Sequence, residues 1–101
     1  MEATARLADT DLRSDEELIT AVVGGTGDSF EELIVRYQPR IFGMARKYFR
    51  NESDVEDAVQ TIFTKTYQKL VSFNHTAPFE HWFMRLSVNT CYDALRRKSK
   101  R

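Results

Sequence analysis

Cysteine is nearly absent from this chain. Cys91 is the one example among 101 residues, which excludes an internal disulfide and leaves no cysteine cluster for zinc. Histidine is scarce too: His75 and His81 lack the spacing of a helical metal pair, so no metal site is expected. No apolar run approaches the length of a membrane span, and the opening MEATARLADTDLRSDEE has no apolar signal core. Membrane insertion is therefore not expected, and the cytoplasm is the default compartment. Repeats and low-complexity linkers are missing, Gly and Pro are few, and nothing alternates with period two for long enough to make a strand. Groupings that carry catalysis are missing as well. There is no nucleophile beside a base, no glycine-rich phosphate loop and no carboxylate pair assignable to a cleft. Neither an enzyme nor a cofactor site is expected.

Net charge is zero, yet the charge is arranged in blocks. Residues 1–35 hold nine acids against two bases, and residues 36–50 hold five bases and no acid. Residues 51–60 hold four acids, and residues 61–101 eight bases against two acids. Such blocks are either solvated helix surface or, where a basic end lies beside aromatics, a nucleic-acid face.

What the chain has in abundance is helical periodicity. Residues 1–13 are polar and expected to form a flexible tail, leaving one domain over residues 14–101. Ser14 opens a capping box with Glu17, and Leu18, Ile19, Val22 and Val23 make a short amphipathic helix stopped by Gly24-Gly25. Asp28 or Ser29 caps a second helix, whose apolar positions run from Phe30 through Leu33, Tyr37, Ile41 and Ala45 to Phe49. Pro39 inside it predicts a kink. Asn51 ends this helix, and Ser53 with Glu56 predicts a capping box for a third. The third helix has an apolar stripe of Val55, Ala58, Val59, Ile62, Phe63, Thr66, Tyr67 and Leu70. Its opposite face carries Asp54, Asp57, Gln60, Thr61, Thr64 and Gln68. After the loop SFNHTA, Pro78 is expected as the first residue of a fourth helix. The expected class is all-α: a compact bundle of three to four helices, with a short first helix, a kinked second and two long C-terminal ones.

The fourth helix is lopsided. Phe79, Trp82, Phe83, Leu86 and Thr90 share one side, while Met84, Val88, Cys91 and Leu95 share another. Two apolar faces mean either a central position or a face awaiting a partner. Trp82 differs in kind, because its ring N–H needs a polar partner or a wet edge. Arg85 and Asn89 add a polar seam beside it. The last turns carry Arg96, Arg97, Lys98, Lys100 and Arg101. The helix dipole accounts for one or two such cations. Aromatic surface beside so many cations suits single-stranded nucleic acid, whose bases stack on rings while cations follow its phosphates.

Two long segments, DVEDAVQTIFTKTYQKLVSF (Asp54–Phe73) and PFEHWFMRLSVNTCYDALRR (Pro78–Arg97), resemble the second conserved region of bacterial sigma factors. The likeness is greatest to the extracytoplasmic-function (ECF) group. The upstream SFEELIVRYQPRIFGMARKYFRNESDVEDA fits the same region, including its proline within a helix. The resemblance covers residues 14–101 and implies a helical domain of transcription initiation with two working surfaces.

One implied surface docks on the clamp coiled coil of the RNA polymerase β′ subunit. It falls on Asp57, Gln60, Thr61 and Thr64, with Asp54 at its rim; the usual motif has Glu where this chain has Thr61. The other recognises the promoter −10 element and holds the non-template strand as single-stranded DNA. Its specificity loop, which captures a flipped base, falls on Phe73, Asn74, His75, Thr76 and Ala77. Its strand-binding surface falls on Phe79, Trp82, Arg85 and Asn89, with Arg96, Arg97 and Lys98 near phosphates. An anti-sigma factor is a further implied partner. The family's −35-binding C-terminal domain is expected to be absent from this chain, with weak binding to promoter duplex as the result. The rival readings are a helical protein-interaction adaptor without DNA binding and a helix-turn-helix duplex binder. The second is disfavoured, because no tight turn of three or four residues precedes a recognition helix.

Overall fold

The computed structural model describes residues 13–99. The tail expected over residues 1–13 lies outside the described residues except for Arg13, and Lys100 and Arg101 lie outside them too. Among the described residues the chain is all-α. Its elements are α1 (Asp15–Val23), α2 (Asp28–Ala45), α3 (Glu52–Lys69), a 3-10 turn (Leu70–Ser72) and α4 (Phe79–Ser99). Two compact units divide between Tyr37 and Gln38, so α2 contributes to both.

In the first unit the capping box forms as expected. Ser14 Oγ accepts from the Glu17 N–H at 3.1 Å, and the Glu17 carboxylate accepts from the Ser14 N–H at 3.2 Å. α1 ends in a Schellman motif: the Gly25 N–H donates to the Val22 carbonyl and the Thr26 N–H to the Ala21 carbonyl. Gly25 sits at φ 105°, a conformation that disfavours a side chain. Arg13 is held in place, unlike the tail residue expected there. Its guanidinium donates to Ser29 Oγ at 2.8 Å, and its carbonyl accepts from Arg36 at 2.6 Å. Arg36 also bridges to Asp15 at 2.6 Å, and the other Asp15 oxygen accepts from the Tyr37 hydroxyl. These contacts tie the start of α1 to α2, while Leu18, Ile19, Phe30, Leu33 and Tyr37 are buried.

In the second unit α2 passes through Pro39 and ends at Ala45, short of the Asn51 expected. Beyond Met44 two hydrogen bonds tighten to three-residue spacing, from the Lys47 N–H to Met44 and from the Tyr48 N–H to Ala45, while the Phe49 N–H still reaches Ala45 four residues back. Phe49 nonetheless stays buried, which is why apolar periodicity overran the helix end. The cap of α3 is Asn51 and not Ser53: Asn51 Oδ1 accepts from the Ser53 N–H at 2.8 Å, placing Ser53 inside the first turn. α4 begins at Phe79, one residue later than expected, and the Pro78 carbonyl accepts from His81 and Trp82.

α3 and α4 form the principal packed pair. α3 buries Val55, Ala58, Val59, Ile62 and Thr66, whereas Tyr67 leaves the expected stripe at 53% exposure. α4 buries Phe79, Phe83, Ser87, Thr90 and Cys91. Three buried hydroxyls on these helices, Thr66, Ser87 and Thr90, donate to the carbonyl four residues back at 2.7, 2.7 and 2.8 Å. Each is thus satisfied within its own helix. Among the described residues no helix is long and apolar enough to cross a membrane.

Candidate nucleic-acid interface

The site is built on a wedge of aromatic rings. Phe73 leaves the 3-10 turn with its N–H bonded to the Leu70 carbonyl at 3.1 Å, and its ring is only 6% exposed. That ring is the hub of a cluster, with centroids of His75 at 4.5 Å, Trp82 at 5.2 Å and Phe79 at 5.9 Å. Phe79 stacks on Phe83 at 5.3 Å, and Phe83 reaches Phe63 of α3 at 5.7 Å. Each such pair contributes about 0.5–1.5 kcal/mol beyond simple burial. Phe79 and Phe83 are wholly interior, Trp82 is half-exposed and His75 is exposed. The wedge therefore runs from core to surface.

Above it, residues 74–78 are exposed. Asn74 Oδ1 accepts from the Thr76 N–H at 3.1 Å and from the Thr76 hydroxyl at 2.8 Å, closing a side-chain-to-backbone turn. His75, at the apex, adopts φ 60°, the left-handed region that residues with a β-carbon avoid at about 1–2 kcal/mol. The Asn74–Thr76 turn and the contact with Phe73 hold it there. The Asn74 carboxamide oxygen is thus engaged, and its NH2 is the group left to donate.

The residues read from sequence divide in the structure. Phe73, expected in the specificity loop, and Phe79, expected on the strand-binding surface, both have buried rings on which no base could stack. The wheel placed Phe79 and Trp82 on one side, but the α3 contact takes the edge bearing Phe79 and Phe83 and leaves Trp82 at the margin. Trp82, Arg85 and Asn89 do come together, in an open groove of about 350 Å³ between α3 and α4. Lys65 and Lys69 of α3 line its other wall and were missed by sequence reasoning. The available signal was a pair of lysines one turn apart, between the apolar stripe and the polar face.

The cationic tail also divides. Arg96, on the Trp82 side of α4, pairs with Asp93. Lys98 lies about 160° around the helix from Trp82 and pairs with Asp54 at 2.5 Å. Arg97 lines a second groove, of about 280 Å³, with Asp54, Asp57 and Thr61. Two tail cations expected near phosphates thus adjoin the polar face of α3. On that face Asp57, Gln60 and Thr64 are exposed. Thr61 is half-buried, and its hydroxyl donates to the Asp57 carbonyl at 2.8 Å.

Elsewhere on α4, Tyr92 meets Tyr48 edge-on at 5.5 Å. Desolvation, then the neighbouring Tyr92, pushes the Tyr48 hydroxyl pKa up, and burial does the same to the Cys91 thiol.

Fold and site together define, among the described residues, an all-helical domain that gathers aromatic rings and cations on its last helix pair and the loop between them. The chain belongs to the Sigma-70 region 2 family, whose model matches residues 33–101, and within it to the ECF type. It is similar to the ECF RNA polymerase sigma factor SigM of Mycobacterium tuberculosis, 35% identical over 85 residues, covering 84% of this chain and 43% of that protein. It is also similar to the ECF RNA polymerase sigma-E factor of Escherichia coli, 34% identical over 88 residues, covering 87% of this chain and 46% of that protein. The chain thus spans just under half the length of these relatives. Among solved structures it resembles an engineered region 2 of sigmaE in complex with GTAAAA, determined by NMR. The TM-score is 0.80 at 33% identity, covering 87% of this chain and 92% of that one.

Proposed function

We propose that this domain recognises and opens the promoter −10 element, trapping the non-template strand on the loop Phe73–Ala77 and the first half of α4. The observation that carries this reading is the aromatic wedge. A half-exposed indole and an exposed imidazole stand over buried rings that fix them, with Arg85 and Asn89 beside the indole. Stacking on such rings contributes about 1–3 kcal/mol per base and is available only to bases already unstacked. The Asn74 amide and His75 ring supply polar groups for the edge of a flipped base. The similar sigmaE region in complex with GTAAAA supports the same reading.

The polar face of α3 is the proposed docking site for the β′ clamp coiled coil, through Asp57, Gln60 and Thr64, with Asp54 and Thr61 at its edge. An anti-sigma factor covering either surface would silence the domain. A second reading, a helical adaptor without DNA binding, draws on Tyr67 and Val71, exposed by 53% and 74% one turn apart.

Fluorescence anisotropy separates the two. The domain is expected to bind a labelled single strand carrying GTAAAA more tightly than the blunt duplex of the same sequence. Equal affinity for both across a salt series overturns base capture. For docking, Asp57→Ala and Gln60→Ala are expected to weaken binding to a β′ clamp fragment with helicity unchanged; unaltered binding places that contact elsewhere.

A further inference from the structure

We propose that the turn between α2 and α3 binds the double-stranded DNA that flanks the opened element, with Lys47 and Arg50 on its phosphates. The assignment rests on the strand-trapping reading above and extends it to a surface outside the loop and the α3–α4 groove. Residues 36–50 hold five bases and no acid. Three of the five are ion-paired: Arg36 with Asp15, Arg40 with Glu80 and Arg46 with Glu52. Among the described residues, Lys47 and Arg50 have no ion-pair partner, and both are exposed. The next acids along the chain are engaged, Glu52 by Arg46 and Asp54 by Lys98. Helix stability accounts for only one of the two cations. Lys47 follows the C-terminus of α2, which favours positive charge, but Arg50 directly precedes Asn51, the cap of α3, where the helix dipole disfavours it.

The turn is ordered and anchored to α4. The Lys47, Tyr48 and Phe49 N–H groups donate to the Met44 and Ala45 carbonyls, Phe49 is buried, and the Tyr48 ring meets Tyr92 of α4 edge-on at 5.5 Å. The backbone beneath the two cations is thus fixed before any ligand arrives, which lowers the cost of binding. Tyr92 follows Trp82 by ten residues, about 15 Å along α4, or roughly four base pairs of duplex at about 3.4 Å each. It also lies about 80° around the helix from Trp82, outside the residues that line the α3–α4 groove. DNA opened over a few bases stays paired beyond them, so duplex reaches this distance while the opened strand occupies the loop. A stiff, regular row of phosphates suits two fixed cations better than an acidic peptide, whose own ordering opposes binding.

Phosphate contacts position DNA without reading its sequence, so the turn adds affinity and orientation and leaves base choice to the loop. The test compares the wild type with the double variant Lys47→Gln and Arg50→Gln on three labelled DNAs. These are the bare GTAAAA strand and the same strand carrying a duplex arm on its 5′ or its 3′ side, with circular dichroism confirming that the variant folds. Affinity is expected to fall for one arm polarity only, because the turn lies to one side of the loop. For that DNA the slope of log Kd against log salt should drop by about 1.8, at about 0.9 per duplex phosphate. The bare strand and the opposite polarity should keep their wild-type values. An unchanged slope on both armed DNAs, or an equal drop on both, overturns the assignment while leaving strand capture intact. An equal drop on the bare strand also overturns it, by moving the two cations into the strand path. Failure of the wild type to prefer single strand over duplex overturns strand capture and the assignment together. Polyglutamate bound as tightly as the armed DNA, and lost equally on substitution, would make the turn an acidic-peptide site and overturn the assignment too.

Discussion

Lys98 Nζ stands 2.5 Å from the carboxylate of Asp54, tying the last turn of α4 to the first turn of α3. Both partners are partly exposed, and such pairs contribute about 0.2–1 kcal/mol. The pair matters for what it removes from the DNA side: a cation expected near phosphates is held beside the proposed polymerase-docking face. Lys98→Ala is therefore expected to lower stability by at most about 1 kcal/mol and to leave strand affinity within about twofold. Arg85→Ala is expected to weaken the strand well beyond that. A large strand-affinity loss in Lys98→Ala with unchanged Tm would return Lys98 to the DNA path.

Phe79 and Trp82 are neighbours in the same cluster with opposite exposure. Phe79→Ala empties a site that is 1% exposed, so thermal or urea unfolding should report a loss of about 3–5 kcal/mol. Trp82→Ala should keep the fold and cost about 1–3 kcal/mol in strand affinity. Equal destabilisation by both would make Trp82 a core residue.

His75 is held in a left-handed conformation at the apex of the loop. Glycine adopts that conformation freely, so His75→Gly is expected to change stability by less than about 1 kcal/mol while removing the exposed ring. Strand binding should weaken in this variant despite the undamaged fold. Retained affinity with full base preference would take His75 out of the recognition surface.

Asn51 and Ser53 offer a direct test of where α3 starts. Asn51→Ala removes the cap and is expected to cost about 1 kcal/mol. Ser53→Ala leaves the observed hydrogen bond in place, because only the backbone N–H of Ser53 takes part, and should be near neutral. The reverse order in denaturant midpoints would favour the capping box read from sequence.

Cys91 and Tyr48 both have pKa values raised above the ordinary 9.0 and 10.0, in each case first by desolvation. An acid whose folded pKa is raised favours its neutral form in the fold. Its stabilising share is complete below the ordinary value and is lost as pH climbs past it. Stability should therefore hold through neutrality and decline from pH 9 upward, followed by urea midpoints at each pH. Thiol labelling of Cys91, which is wholly buried, should track unfolding rather than pH alone.

Much of the helical plan was legible because it is local. The Ser14–Glu17 box, the Gly24-Gly25 stop and the α3 stripe depend on residues within a turn or two of one another. Asn51 and Ser53 are both good caps two residues apart, and sequence alone gave no means of choosing between them. Phe79 was read as surface because a helical wheel ranks positions by angle, whereas burial depends on where the neighbouring helix lies. Lys65 and Lys69 were overlooked for the same reason. They become part of a groove only when α3 and α4 stand side by side, and no single stretch of chain records that.

Thr66, Ser87 and Thr90 each spend their proton on their own helix. None of these three hydroxyls keys α3 to α4, so the alignment of the two rods depends on the interlocking of rings such as Phe63 and Phe83. Trading Ser87 for alanine should therefore leave the rods in step, while thinning Phe63 should let them slip, and with them the two walls that face each other across the groove.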